Sequence, residues 1–272
     1  MAITLHLIRH AQGFHNLSTK NHSMPDPLLT PTGKSQCETL SRTFPPETIT
    51  HLIASPLRRT LYTALYSFPT FIASGSKVVA LPELQETSTL PCDTGSEPVA
   101  LAEEFAGSVD LELVTEGWNS KVGRWDANAP AIEKRAREAR TWLRDLGIKA
   151  EESGVSNVNI VVVTHGGFLH YLSDDWEDST LFVGTGWSNT EFRSYTFRDA
   201  EYSDVNASIE ETRESRDRRK GSEKSLSLEE QRNLKLAAEN GWQKDGFQQK
   251  VLKGVEKEEE GEERVKEVEV IA

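Results

Sequence analysis

The run VNIVVVT at residues 158–164 constrains the fold more than any other stretch of the chain. A β-branched sequence this continuous, with little polar alternation, reads as a strand buried on both faces, which is the environment of a central strand in a parallel sheet. A second apolar run opens the chain, with Ile3, Leu5, Leu7 and Ile8 leading straight into Arg9-His10. Further strand signals lie at 50–54, 77–81 and 191–197. Between them the sequence predicts helices over 32–43 (after Pro31), 56–67 (after Ser55, with Pro56 in the first turn), 98–106 and 130–146. Strands alternating with helices give an α/β fold, here a three-layer α/β/α architecture around a mostly parallel central sheet.

With 272 residues and 36% hydrophobic content, one substantial core is expected. We place one domain over residues 1–200. Residues 87–129 break the alternation and read as a cap-like insertion over one edge of the sheet. Residues 201–272 show no strand signal and read as a charged tail, with one helix delimited by Ser227 as N-cap, Glu230 at the capping-box position and Gly241 as a stop. Beyond about residue 254 the Glu-rich sequence is expected to be disordered, and the tail is a candidate surface for protein contacts. The net charge of −12 argues against nucleic acid or an anionic membrane as the main partner. No apolar run is long enough to span a bilayer, and the N-terminus enters a strand without a signal-peptide pattern. With only Cys37 and Cys92, a reducing compartment is expected, the cytoplasm with the nucleus left open.

The chemistry-bearing residues sit at strand ends. His10 follows the first strand, and His165 follows VNIVVVT and precedes Gly166-Gly167. In a parallel sheet both histidines reach the same carboxyl edge, where open α/β sheets bind ligands. An imidazole fixed there can act as a nucleophile, and Arg9 beside it suits phosphate oxygens. In IASPLRRT, Arg58 falls in the first turn of a helix, where free N–H groups also favour an anion.

RHAQGFHN, SPLRRT, LQET and THGG, in that order, resemble the motifs of the histidine phosphatase superfamily, the phosphoglycerate mutase-like family, over roughly residues 3–198. The small phosphoglycerate mutase-like proteins of fungi and plants are the most similar in these motifs. The resemblance implies a hydrolase that cleaves a small phosphorylated substrate through a phosphohistidine at His10, without metal or organic cofactor. It implies that Arg9, Arg58, Asn16 and His165 hold the phosphate and that Glu86 is the acid/base. Glu83, Asp93 and Glu97 are neighbouring carboxylates that the residues alone leave open. One position departs from the family: Ala11 follows His10 where glycine is usual. Mutase-type phosphotransfer and a phosphatase-like binding module are the alternatives.

The remaining histidines, His6, His15, His22, His51 and His170, show no metal-binding spacing, and His15 is nearest to the pocket loop. Trp118 and Trp125 are candidates either to stack on an organic leaving group or to pack the insertion. Lys121 and Arg124 are candidates to contact a second phosphate, with surface charges the commoner reading, and Arg59 is expected to face solvent or to pair with a carboxylate. Substrate choice is expected to lie in residues 87–129 and around Trp187.

Overall fold

The computed structural model describes residues 3–45, 49–180 and 185–250. Among these, seven strands form one sheet: β1 (Ile3–Arg9), β2 (His51–Ala54), β3 (Val78–Ala80), β4 (Val109–Asp110), β5 (Val158–Thr164), β6 (Phe192–Phe197) and β7 (Ile209–Glu211). Their order is β4-β3-β2-β5-β1-β6-β7. From β4 to β1 all pairings are parallel, while β6 runs antiparallel to both β1 and β7. The helices are α1 (Pro31–Thr43), α2 (Arg58–Ser67), α3 (Pro69–Ala73), α4 (Pro98–Glu104), α5 (Ala129–Glu152), α6 (Gly166–Ser173), α7 (Arg213–Lys220) and α8 (Leu228–Lys244).

VNIVVVT is central for the physical reason its composition suggests. Val158, Ile160 and Val162 enter one core cluster with Leu143 of α5 and Leu169 of α6, while Val161 and Val163 enter a second with Leu61 and Ala64 of α2. The period of two along the strand thus feeds both layers. β1 pairs with β5 in parallel register, Arg9 opposite Thr164, so His10 and His165 emerge side by side at the same edge.

The structure departs from the sequence reading mainly in the insertion and the tail. In the insertion, β4 joins β3 at the sheet edge, a pairing too short to leave a periodic signal. Trp118 is buried in the second core cluster, against Gly95 at a spacing that admits no Cβ, so it packs the insertion rather than facing a ligand. The tail is not an appendage beginning at 201, because β7 continues the sheet through β6. Arg216 and Arg219 of α7 pair with Glu177, and Arg219 also pairs with Glu211. α8 begins with the predicted capping box, Ser227 accepting from the Glu230 N–H and Glu230 reaching back. Gly241 does not end it, since the helix runs on to Lys244. Ala238 and Trp242 anchor it on the α5/α6 layer. The expected disorder beyond residue 254 lies outside the described residues.

Among the described residues, no helix is long and apolar enough to cross a membrane. Both cysteines are buried and unpaired.

Candidate active site

The site is built where β1, β2 and β5 end. The His10 ring lies in the loop after β1, and its Nδ1 is 2.7 Å from the Ala11 carbonyl oxygen. A carbonyl only accepts, so Nδ1 carries the proton. On the other side the Arg59 Nε–H donates to His10 Nε2 at 3.3 Å, and a guanidinium only donates, so Nε2 holds a lone pair. Burial, reinforced by Arg59, His15 and Arg9, holds the His10 pKa well below the ordinary imidazole value. The ring is therefore neutral and nucleophilic at Nε2 near neutral pH.

His165 is wholly buried, with its ring centroid 5.2 Å from that of His10. Arg59 donates from Nη2 to its Nδ1 at 3.0 Å, which leaves Nε2–H to donate to Ser55 Oγ at 2.9 Å. Burial and Arg59 push its pKa well down as well. His15 lies in the first turn after Gly13, its ring 5.3 Å from His10, and burial and the nearby arginines push its pKa down to about 2. Ala11 has no positive φ, and its N–H donates to Thr63 Oγ1 at 3.0 Å, so the methyl group that departs from the family pattern is accommodated without backbone strain.

The arginine of the cluster is Arg59, and Arg58 lies outside it. The Arg58 Nε is 2.7 Å from Glu104 Oε2, and Tyr62, one turn along α2, donates to the same carboxylate at 2.7 Å. The reason is helical phase. Residues 58 and 62 share an outer stripe, while 59 and 63, about 100° round the axis, face His10. The helix begins at Arg58 rather than at Pro56, and its first turn is already occupied: Asp26 Oδ1 accepts the Arg58 N–H at 3.0 Å. The expectation that free N–H groups there would greet an anion is corrected by this buried carboxylate. Arg59 in turn pairs with Asp93 at 2.8 Å and donates to the Cys92 carbonyl at 2.6 Å.

Glu86 faces the histidines from the loop after β3. Its Oε1 accepts from the Thr87 and Phe168 N–H groups, both at 2.9 Å, and Oε2 accepts from the Gly167 N–H at 3.2 Å. The carboxylate thus sits on the N-terminus of α6, and Gly167 is required there: a Cβ at that position would lie 2.7 Å from Glu86 Oε1. Burial, with Asp93 nearby, raises the Glu86 pKa, while Arg59 and the backbone donors oppose the shift. The other carboxylates have separate duties. Glu83 pairs with Arg124, and Asp93 is taken by Arg59 and by the Ser88 hydroxyl.

Two cations brace the Glu86 backbone, Arg135, which sequence reasoning missed, and Lys121, which it placed elsewhere. Arg135 of α5 donates to the carbonyls of Glu83, Gln85 and Glu86 and stacks 4.5 Å from the Phe168 ring centroid. Lys121, expected at the surface, is buried and donates to the Glu86 carbonyl at 3.3 Å; burial and Arg135 lower its pKa to about 7. Arg124 is exposed, as expected, and covers the Trp125 ring. Arg9 donates to the Trp187 carbonyl, and its buried Nε has no partner among the described residues. Asn16 lines the same cavity; its Oδ1 accepts from the Gly13 N–H at 2.9 Å, so the end suited to an anion is its amide nitrogen. The cavity is about 830 Å³, with Arg9, His10, His15, Asn16 and Glu86 along one side. Among the described residues no group of three or more His, Cys, Asp or Glu side chains is arranged to hold a metal ion.

A family model, the histidine phosphatase superfamily (branch 1), matches residues 5–203. The chain belongs to the histidine phosphatase superfamily. No curated protein matches it in sequence. Solved structures similar to it include mycobacterial hydrolase 1 (19% identity, TM-score 0.51, covering 78% of this chain and 97% of that one). The ecdysone phosphate phosphatase of Bombix mori is similar at 18% identity and TM-score 0.50, covering 71% of this chain and 88% of that one. A phosphoglycerate mutase from Bacillus anthracis aligns at 15% identity and TM-score 0.49, covering 78% and 92%. At these identities the likeness is one of fold, the mostly parallel α/β arrangement of the superfamily.

Proposed function

We propose that this histidine phosphatase family member is a phosphomonoester hydrolase that works through a phosphohistidine at His10. The observation that carries the reading is the state of the His10 ring: neutral, proton on Nδ1, lone pair on Nε2, at the edge of a cavity shared with Glu86. In the first step a phosphate oxygen takes over the Arg59 Nε–H, and the Nε2 lone pair so released attacks phosphorus in line. The N–P bond forms as the bond to the ester oxygen breaks, and Glu86, whose raised pKa favours its acid form, gives that oxygen a proton. In the second step Glu86, now a carboxylate, takes a proton from water as it attacks the phosphohistidine, which releases inorganic phosphate and restores both groups. Arg9, Arg59 and the Asn16 amide supply positive charge and donors around the transferring group, while His165, neutral and with its one N–H given to Ser55, accepts from Arg59 and positions it. Arg59 replaces Arg58 in this role. Asp93 fixes Arg59, and Arg135 with Lys121 fixes the Glu86 loop. The unpaired cysteines suit a cytoplasmic protein.

The test is phosphate release from p-nitrophenyl phosphate and a panel of sugar, nucleotide and polyol phosphates, for wild type beside His10→Ala and with a chelator present. Release that survives the chelator, disappears in the variant and passes through an acid-labile phosphoenzyme is expected. Transfer of phosphate between positions of phosphoglycerate with little release would replace hydrolysis with a mutase, and a well-folded but silent wild type would favour a binding module.

A further inference from the structure

The cavity has two sides of opposite character. One carries His10, His15, Arg9 and Glu86. The other is supplied by the C-terminal segment: Trp242 and Ala238 of α8, with Asp245 and Phe247 just beyond it, line the cavity together with Leu17 and Leu90. This segment is built onto the domain. The Tyr171 hydroxyl donates to Glu239 at 3.1 Å and lies 3.2 Å from the Gln248 side-chain amide, and the Gln249 N–H donates to the Ala127 carbonyl at 2.8 Å. The Trp242 ring rests on an aromatic platform, 5.9 Å from Trp176 and 6.2 Å from His170 between centroids. Phe247 meets His22 edge-on at 5.9 Å, which closes the C-terminal segment over the loop that follows His10.

Away from His10 the lining therefore offers aromatic and aliphatic groups interspersed with hydroxyls such as those of Ser18, Thr19 and Ser179, and its charged residue from the C-terminal segment is the Asp245 carboxylate. A second anionic group on a substrate would be repelled by Asp245, and a small polyol would leave the rings against water. About 830 Å³ is also far more than a phosphate needs and falls within the roughly 300–1,000 Å³ typical of pockets for drug-sized ligands. We propose that this side selects the phosphate ester of an uncharged, ring-bearing, largely apolar alcohol, with Trp242 and Phe247 as the specificity-determining side chains. The inference rests on the reading that the phosphate end sits at His10.

The experiment compares kcat/KM for 1-naphthyl phosphate and 3-phosphoglycerate in wild type, Trp242→Ala, Trp242→Phe and Phe247→Ala, with His10→Ala as control and thermal unfolding to check folding. Wild type is expected to prefer the naphthyl ester by at least about tenfold, in line with one well-fitted aromatic contact. Each alanine variant should cut that ratio about tenfold, and Trp242→Phe should keep most of it. His10-dependent hydrolysis that favours 3-phosphoglycerate, or a ratio indifferent to both alanine variants, overturns the wall's role and leaves the phosphatase reading standing. If no ester is hydrolysed, or His10→Ala is as active as wild type, the phosphatase reading fails. Calorimetric binding of the two esters then decides the wall by itself: tighter naphthyl binding that weakens in Trp242→Ala supports it, and equal or reversed affinities overturn it.

Discussion

The two sides of the cavity are made by different rules. The His10 side consists of ionisable groups with at most 2% exposure for His10, Arg59 and His165, each tied to a backbone carbonyl or another buried partner. The C-terminal side consists of half-buried aromatic residues, Trp242 on α8 and Phe247 just beyond it. Chemistry at phosphorus needs a defined tautomer and charge, which buried groups fixed by hydrogen bonds at the ends of the central strands and in the first turn of α2 hold. Selecting an alcohol needs only shape and polarity, which a peripheral helix can supply.

Replacing Arg59 with alanine should break the first side hardest. The rate is expected to fall by about 10²–10³, and stripping the buried Asp93 of its partner should cost about 3–5 kcal/mol. Steady-state kinetics and urea unfolding read both effects. Arg59→Lys should restore little, because one ammonium cannot span His10, Asp93 and His165.

Gly167→Ala should come next. Its Cβ would displace the Glu86 carboxylate, so kcat should fall by about a hundredfold, the scale of lost acid–base catalysis. A wild-type rate would show that Glu86 does not serve as the acid.

Titration separates the two sides by a different measure. In the folded protein His10 and His165 are held far below the ordinary value and His15 at about 2, so all three stay neutral. Above about pH 6.5 neither folded nor unfolded chain protonates them and stability is unaffected. As pH falls below that point the unfolded chain takes up protons that the folded one refuses, and each histidine costs about 1.4 kcal/mol per pH unit. Urea midpoints should therefore drop between pH 6.5 and 5, and replacing His15 with Asn should flatten the slope.

Ser227→Ala removes the cap of α8 at a cost of about 1 kcal/mol. Amide exchange should quicken in α8 while the His10 loop keeps its protection. The smallest effect is expected from Arg58→Ala: its ion pair with Glu104 is partly exposed, worth about 0–1 kcal/mol, and the rate should barely move.

Much of the strand-end side was legible. VNIVVVT and the opening apolar run announce the central pair of strands by composition, and the residues that follow a buried strand must emerge at its end, so His10 and His165 could be placed together. Trp118 and Lys121 were left open or misjudged, and the place of Arg59 in the site, though not its pairing with a carboxylate, was missed, for one shared reason. A large or charged side chain looks like surface unless its partners are known, and those partners, Gly95, the Glu86 carbonyl and Asp93, are distant in sequence or in loops without periodicity. Between Arg58 and Arg59 the choice depended on where α2 begins, and Asp26, a residue far upstream, decides that by capping its first N–H.

The sequence by itself determined the layers, the sheet edge that carries the chemistry and the two histidines on it, because hydrophobic periodicity and strand direction are local properties. Only the tertiary structure decided which arginine enters the site, which cations hold the Glu86 loop and that the C-terminal helix walls the cavity. Those outcomes depend on helical phase and on burial against remote partners, and neither is encoded within a single window of the chain.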